Sequence, residues 1–301
     1  MQAFLEWLYA PRQIRALYEL WPTIKQLFSL DGLKRAGALL LTIAEIFGVL
    51  LLDTPRTPRG PALDLTGYTT VVLEDKFDGD GLDLTKWEYR GTGKRTNSVG
   101  FFAPEQVRVE GGKLILTAEY VQDGRFGEGW YSGMIRTVQE YTYGYFEMTC
   151  IISKGGGCSS AWWLNSNAMA SSALSKGGVG GAELDIFEGY NSGKFLSKNS
   201  VGINVHVDGY GPDLKSCQLG NWVGKDIYKK YNTYGLLWTD TEYIFYINGV
   251  EAARSAFKDG VSREPEYAII SLGMPSEEAM KARPGFKAEF IIDSVRILQK
   301  A

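Results

Sequence analysis

The stretch YIFYINGVEAAR, residues 243–254, places two β-favouring runs on either side of Asn248-Gly249. A two-residue hairpin turn needs positive φ at both central positions, and Asn-Gly supplies it at low steric cost, so these residues predict an antiparallel hairpin. Working outward, the chain from about Thr66 onward is made of short apolar, β-branched or aromatic runs bounded by glycine: Lys113–Ala118, Tyr145–Ile152, Glu183–Phe187, Val201–Val207, Tyr234–Trp238, Tyr267–Leu272 and Phe286–Leu298. Many short strands at this spacing predict an all-β sandwich. The composition agrees, with 36 Gly, 17 Tyr, 14 Phe and 8 Trp in 301 residues suiting twisted strands and tight turns.

The first sixty residues differ. They carry +2 and only four of the glycines, whereas the remainder carries −5. Apolar positions Ile14, Leu17, Tyr18, Trp21, Ile24 and Phe28 recur at three- and four-residue steps, predicting a helix, and a second is expected after Asp31. From Ala36 to Leu52 the only charge is Glu45. At 1.5 Å per residue this run reaches about 25 Å against a hydrocarbon core of roughly 30 Å, so it is either a marginal membrane span or a helical hairpin packed on protein. Its position well inside the chain, behind an amphipathic region, argues against a cleaved signal peptide. The proline-broken stretch DTPRTPRGP, residues 53–61, reads as a linker. The chain is therefore divided into a helical extension with possible membrane association, 1–60, and a β-sandwich, 61–301.

The inventory limits the chemistry. A net charge of −3 offers no footprint for a polyanion and excludes nucleic acid as the expected partner. One histidine, His206, and three cysteines, Cys150, Cys158 and Cys217, could form a zinc site only by all converging. Three thiols permit at most one intramolecular disulfide, for which Cys158–Cys217 is the candidate pair. Carboxylates remain, and they are concentrated in GAELDIFEG, residues 181–189. In a regular strand Glu183 and Asp185 would face one way while Leu184, Ile186 and Glu188 faced the other, which would bury Glu188. An unpaired charge in a core costs several kcal/mol, so a β-bulge near Ile186–Phe187 that turns Glu188 back to its fellow acids is expected. Two carboxyls on one face, about 5–5.5 Å apart, are what a retaining glycosidase needs: one attacks the anomeric carbon, the other gives and then takes a proton. Glu183 and Glu188 fit those roles, and Asp185 between them would raise the pKa of one neighbour and orient the other.

The motif ELDIFE resembles the E-[IL]-D-x-x-E signature of glycoside hydrolase family 16. The resemblance continues in order through EDKFDGDGLDLTKWEY (74–89), GGKLILTAE (111–119), YSGMIRT (131–137), YGYFEMTCII (143–152), SSAWWLN (159–165), LLWTDTEYIFYING (236–249) and FIIDSVRIL (290–298). It implies a jelly-roll β-sandwich of two antiparallel sheets with a concave substrate cleft for an extended β-linked polysaccharide. It also implies Glu183 as nucleophile, Glu188 as acid/base and Asp185 as assisting acid. Trp163 would stack on sugar while its neighbour Trp162 faces the other sheet, and His206, Arg136 and Trp238 would contribute to the cleft. The expected activity is endo-acting, retaining hydrolysis of β-1,3- or mixed β-1,3/1,4-glucan, with β-galactan hydrolysis, transglycosylation and a non-catalytic binding sandwich as alternatives. No cofactor is required for double displacement. Many members hold a structural calcium, for which Asp75, Asp78, Asp80, Asp83 and especially Asp293 are oxygen donors of the right kind, although ordinary turn roles also explain them. Ser159-Ser160 departs from the family's frequent W-P at that place, so one wall of the cleft is expected to differ. A polymeric substrate implies action outside the cell or at its surface, with an intracellular role on short oligosaccharides as the alternative.

Overall fold

The computed structural model describes residues 54–94, 100–155, 157–190, 199–274 and 285–301, together with Pro22. The expectations for the helical extension therefore fall outside the described residues, apart from Pro22. Among the described residues no helix is long and apolar enough to cross a membrane.

The described residues form eighteen strands. In chain order the first nine are β1 (Thr70–Asp75), β2 (Trp87–Tyr89), β3 (Gly93–Lys94), β4 (Gly100–Phe102), β5 (Val107–Glu110), β6 (Lys113–Val121), β7 (Gly129–Ser132), β8 (Met134–Thr137) and β9 (Gly144–Ile151). The others are β10 (Ser159–Asn165), β11 (Glu183–Tyr190), β12 (Ser200–Val207), β13 (Lys215–Val223), β14 (Asn232–Trp238), β15 (Tyr243–Ile247), β16 (Val250–Ser255), β17 (Tyr267–Gly273) and β18 (Lys287–Gln299). They build two sheets. One has eleven strands along the path β16-β15-β14-β9-β18-β6-β7-β4-β3, with β1 beside β18 and β5 beside β6; the other has seven in the order β13-β12-β11-β10-β17-β8-β2. All pairings but β4 with β7 are antiparallel.

The predicted hairpin is β15–β16, closed by Asn248 and Gly249 at φ 51° and 74°. The core lies between the sheets, where Trp162, Phe187 and Ile270 of the smaller meet Phe146, Trp238 and Phe290 of the larger. Phe187 packs 4.3 Å, centroid to centroid, from Tyr234 and lies edge-on to Phe290, so bulky rings join the two layers. The linker is not a free tether beyond Thr54. Arg56 hydrogen-bonds along the edge of β13 through Asn221 and Val223, and Gly60, Pro61 and Leu63 pair with β16 and its turn, covering an exposed edge of each sheet.

The three thiols are free. Cys158 and Cys217 are not bridged, because β11 and β12 lie between their strands. Three strand spacings amount to roughly 14 Å, twice the Cα separation that a disulfide tolerates.

Candidate active site

The bulge sits where the burial argument requires it. On β11 the three steps from Asp185 to Glu188 face only two on β12, Asn204 to Gly202, and across β10 the pair Trp162–Trp163 spans Phe187 to Asp185, leaving Ile186 as the extra residue. Ile186 and Phe187 both enter the core, at 2% and 0% exposure, and Glu188 regains the face of Glu183 and Asp185.

The registers lay out the outer face of the seven-stranded sheet in three rows. One runs Ser216, His206, Glu183, Asn165, Tyr267; the next Asn204, Asp185, Trp163, Ile269, Arg136, Glu88; the third Asn221, Gly202, Glu188, Ala161, Ser271. The carboxylates thus occupy one strand in successive rows, with a ring, a guanidinium and amides in line with them. Trp163 is partly exposed and donates through Nε1 to Ser271 Oγ (3.1 Å), whereas Trp162 is buried between the sheets, as alternation predicts. His206 places Nε2 3.1 Å from Asp185 Oδ2 and Nδ1 2.6 Å from Ser216 Oγ. Arg136 pairs with Glu88 and lies 4.5 Å from the Tyr267 ring centroid.

Each acid has a different environment. Burial, then the charge of Asp185, push Glu183 up to about 7, and the Tyr210 hydroxyl pulls the other way. Burial, then Glu188, hold the Asp185 carboxyl well above the usual carboxylate range. Glu188 accepts from Asn204 Nδ2 at 2.8 Å and lies opposite Gly202, whose missing side chain leaves it uncrowded.

Four residues were not anticipated. Tyr210 and Asn165 both donate to Glu183 Oε2. Arg90 lies 5.3 Å from the ring centroids of Trp163 and Tyr267 and bonds Tyr267 Oη at 3.2 Å, with no carboxylate partner among the described residues. Glu266 is fully buried behind the site, accepts from Ala182 N at 3.0 Å, and is pushed up to about 8, chiefly by burial.

Glu266 carries a stability prediction. An acid whose folded pKa lies above its unfolded value contributes its full stability below the unfolded pKa of about 4.5, and that stability is lost as pH rises through about 8. Glu266→Gln keeps the acceptor for Ala182 N but cannot ionise. Its Tm relative to the unsubstituted protein is expected to climb by about 5 °C between pH 5 and 9, a few kcal/mol in a domain of this size. A difference that stays flat with pH would show that Glu266 does not titrate in the fold.

Two expectations are corrected. Trp238 is a core residue, fully buried on β14 of the larger sheet, with Nε1 donating to Ser262 O at 3.1 Å, and cannot reach a ligand on the other sheet's outer face. Asp293 does not fit a calcium site: Lys113 Nζ lies 2.8 Å from its Oδ1 and donates to Gly112 O at 2.9 Å, so an ammonium already takes the oxygens. Asp75 is likewise committed, accepting from Phe77 N and Trp87 Nε1. Among the described residues one group has ligand atoms close enough to grasp a metal, Glu183, Asp185 and His206, within 4.8 Å of one another, and these are the site acids themselves.

Residues 70–282 match the family model described as Beta-porphyranase A-D, GH16 domain. The chain is 26% identical over 200 residues (64% of this chain) to the endo-1,3-1,4-beta-glycanase EglC of Rhizobium meliloti, and 28% identical over 228 residues (70% of this chain) to ExsH, a glycanase of the same description and organism. It spans only 38% and 44% of those two relatives' lengths. The kappa-carrageenase structure from Zobellia galactanivorans superposes with a TM-score of 0.64 at 20% identity, covering 82% of this chain and all of that one.

Proposed function

Because the chain belongs to glycoside hydrolase family 16, we propose that it is an endo-acting, retaining hydrolase of β-linked polysaccharide, with β-1,3- or mixed β-1,3/1,4-glucan as substrate. The observation that carries this reading is the bulge at Ile186, which brings Glu183, Asp185 and Glu188 to one face. In the first step a Glu183 oxygen bonds to the anomeric carbon, the glycosidic C–O bond breaks, and the leaving oxygen takes the proton of Glu188. In the second, Glu188 accepts a proton from water as that water's oxygen displaces Glu183, restoring both carboxyls. Asp185, buried between the pair, raises the pKa of Glu183, and Trp163 offers a face on which a sugar ring stacks. Each step balances with the chain's own residues and water. Action outside the cell follows from a substrate too large to enter one.

A second reading, a β-galactan bearing anionic groups, is favoured by two observations: the matching family model is that of β-porphyranases, and Arg90 sets a guanidinium beside Trp163 with no carboxylate among the described residues to neutralise it. Reducing-end release by the full chain from laminarin, barley mixed-linkage glucan, xyloglucan, agarose, porphyran and carrageenan separates the two. Release from laminarin or barley glucan is the expected result; release confined to the sulfated galactans would replace it with the second reading, and release from none would remove the hydrolase assignment for these polymers.

A further inference from the structure

Tyr210 follows β12 on a loop with no regular structure of its own, yet its hydroxyl reaches Glu183 of the site. The loop is pinned. Asp208 and Gly209 turn it through left-handed backbone, at φ 69° and 89°. Asp208 accepts from Gly177 N (2.7 Å) and pairs with Lys215 (2.7 Å), its own N–H donates to Ser175 Oγ (3.0 Å), and Ser172 Oγ donates to Asp213 (2.7 Å). The Tyr210 hydroxyl donates to Glu183 Oε2 at 2.5 Å and accepts from Asn165 Nδ2 at 2.6 Å, and that amide also donates to the same Oε2 at 3.1 Å. Both of these hydrogen bonds fall on one oxygen of the carboxylate.

We infer that Tyr210, seconded by Asn165, is a positioning residue that engages Oε2 of Glu183 and presents Oε1 to the anomeric carbon. The inference rests on the reading of Glu183 as nucleophile. A donor of this kind binds the carboxylate more tightly than the acid or the ester, so it also opposes the protonation that burial favours. The charged and titratable groups that face Glu183 are Asp185 and Glu188 from its own strand, His206 from β12 and Glu266 from behind, with Arg90 acting on the Tyr210 side. Of these contributions, the hydroxyl's is the one that a single oxygen atom controls.

Tyr210→Phe keeps the ring and removes the donor. Two readouts are needed. Selective ¹³C labelling of glutamate side chains, with the Glu183 resonance assigned by its disappearance in Glu183→Gln, follows the titration of Glu183 without reference to activity. In Tyr210→Phe its midpoint is expected to rise by about one pH unit, and in turnover the acid limb of kcat/KM is expected to move with it while the plateau of kcat falls roughly 10- to 100-fold and KM changes less than threefold. A midpoint unchanged within 0.2 units (about that precision being enough to resolve the effect) would overturn the inference, as would a loss confined to KM, which would make Tyr210 a sugar-contacting ring. A shifted midpoint in a protein whose Glu183→Gln variant is fully active would leave the hydrogen bond real and refute Glu183 as nucleophile.

Discussion

Glu183→Gln is expected to lower kcat/KM on the polymer that the protein cleaves by a factor on the order of 10⁴ or more, the scale seen when a covalent nucleophile is removed, while polysaccharide binding holds to within about threefold. The reasoning is geometric. An amide has nearly the shape of a carboxylate and can still accept from Tyr210 and Asn165, the two donors that hold Glu183 in place. What it lacks is the charge with which to form an ester at the anomeric carbon. On the proposed reading affinity draws on other groups, the Trp163 ring and the polar side chains of Arg136 and His206 along the same sheet face, none of which Gln disturbs. Titration calorimetry beside a reducing-end assay checks both halves. Residual activity within tenfold of the unsubstituted protein, or binding lost in step with turnover, would contradict the assignment.

Glu188→Gln should produce a different pattern, one that depends on the leaving group. General acid assistance contributes roughly 10²- to 10⁴-fold, so cleavage of polysaccharide, whose leaving group is a poor sugar alkoxide, falls by that factor. A dinitrophenyl glycoside needs no proton to leave, and its first step proceeds at close to the unsubstituted rate. The second step then stalls for want of a base, giving a burst followed by slow turnover, and added azide, which attacks without deprotonation, restores the rate and yields a glycosyl azide. Equal losses on both substrates without azide rescue would show that Glu188 is not the acid/base. Only the register shift at Ile186 allows this residue any such role, since a regular strand would have turned it into the core beside Leu184 and Ile186.

That shift was legible because a physical penalty exposed it. Three acids within six positions of an apolar strand cannot all avoid the core without a bulge, and the cost of burying a charge identifies where the extra residue belongs. Alternation likewise separated Trp162 from Trp163, and Asn248-Gly249 marked its hairpin. Trp238 shows where such reasoning stops. Alternation says that a residue faces inward or outward but not which sheet its strand joins, and Trp238 belongs to the larger sheet and to its inner face. Tyr210 and Arg90 reach the site from loops, and no period links a loop residue to a strand more than twenty residues away. Glu266 lay hidden in VSREPEYAII, where a charged neighbour on each side of Pro265 makes it read as a solvated residue. Its burial arises from a bridge to Tyr141 and from the N–H of Ala182, partners distant in sequence. The ion pair at Asp293 is hidden for a similar reason, because nothing in the order of residues shows that Lys113 reaches it.

The proposed mechanism requires that Glu183 form a covalent bond to the sugar. The most direct measurement is mass spectrometry of the protein after reaction with a 2-deoxy-2-fluoro oligosaccharide fluoride built on whichever polymer it hydrolyses, a reagent that slows release of the intermediate more than its formation. The expected result is an added mass equal to that of the reagent less its anomeric fluorine, located by proteolysis on Glu183. A label on a different carboxylate, or an unlabelled protein that still hydrolyses its polymer and releases product with inverted configuration, would contradict it.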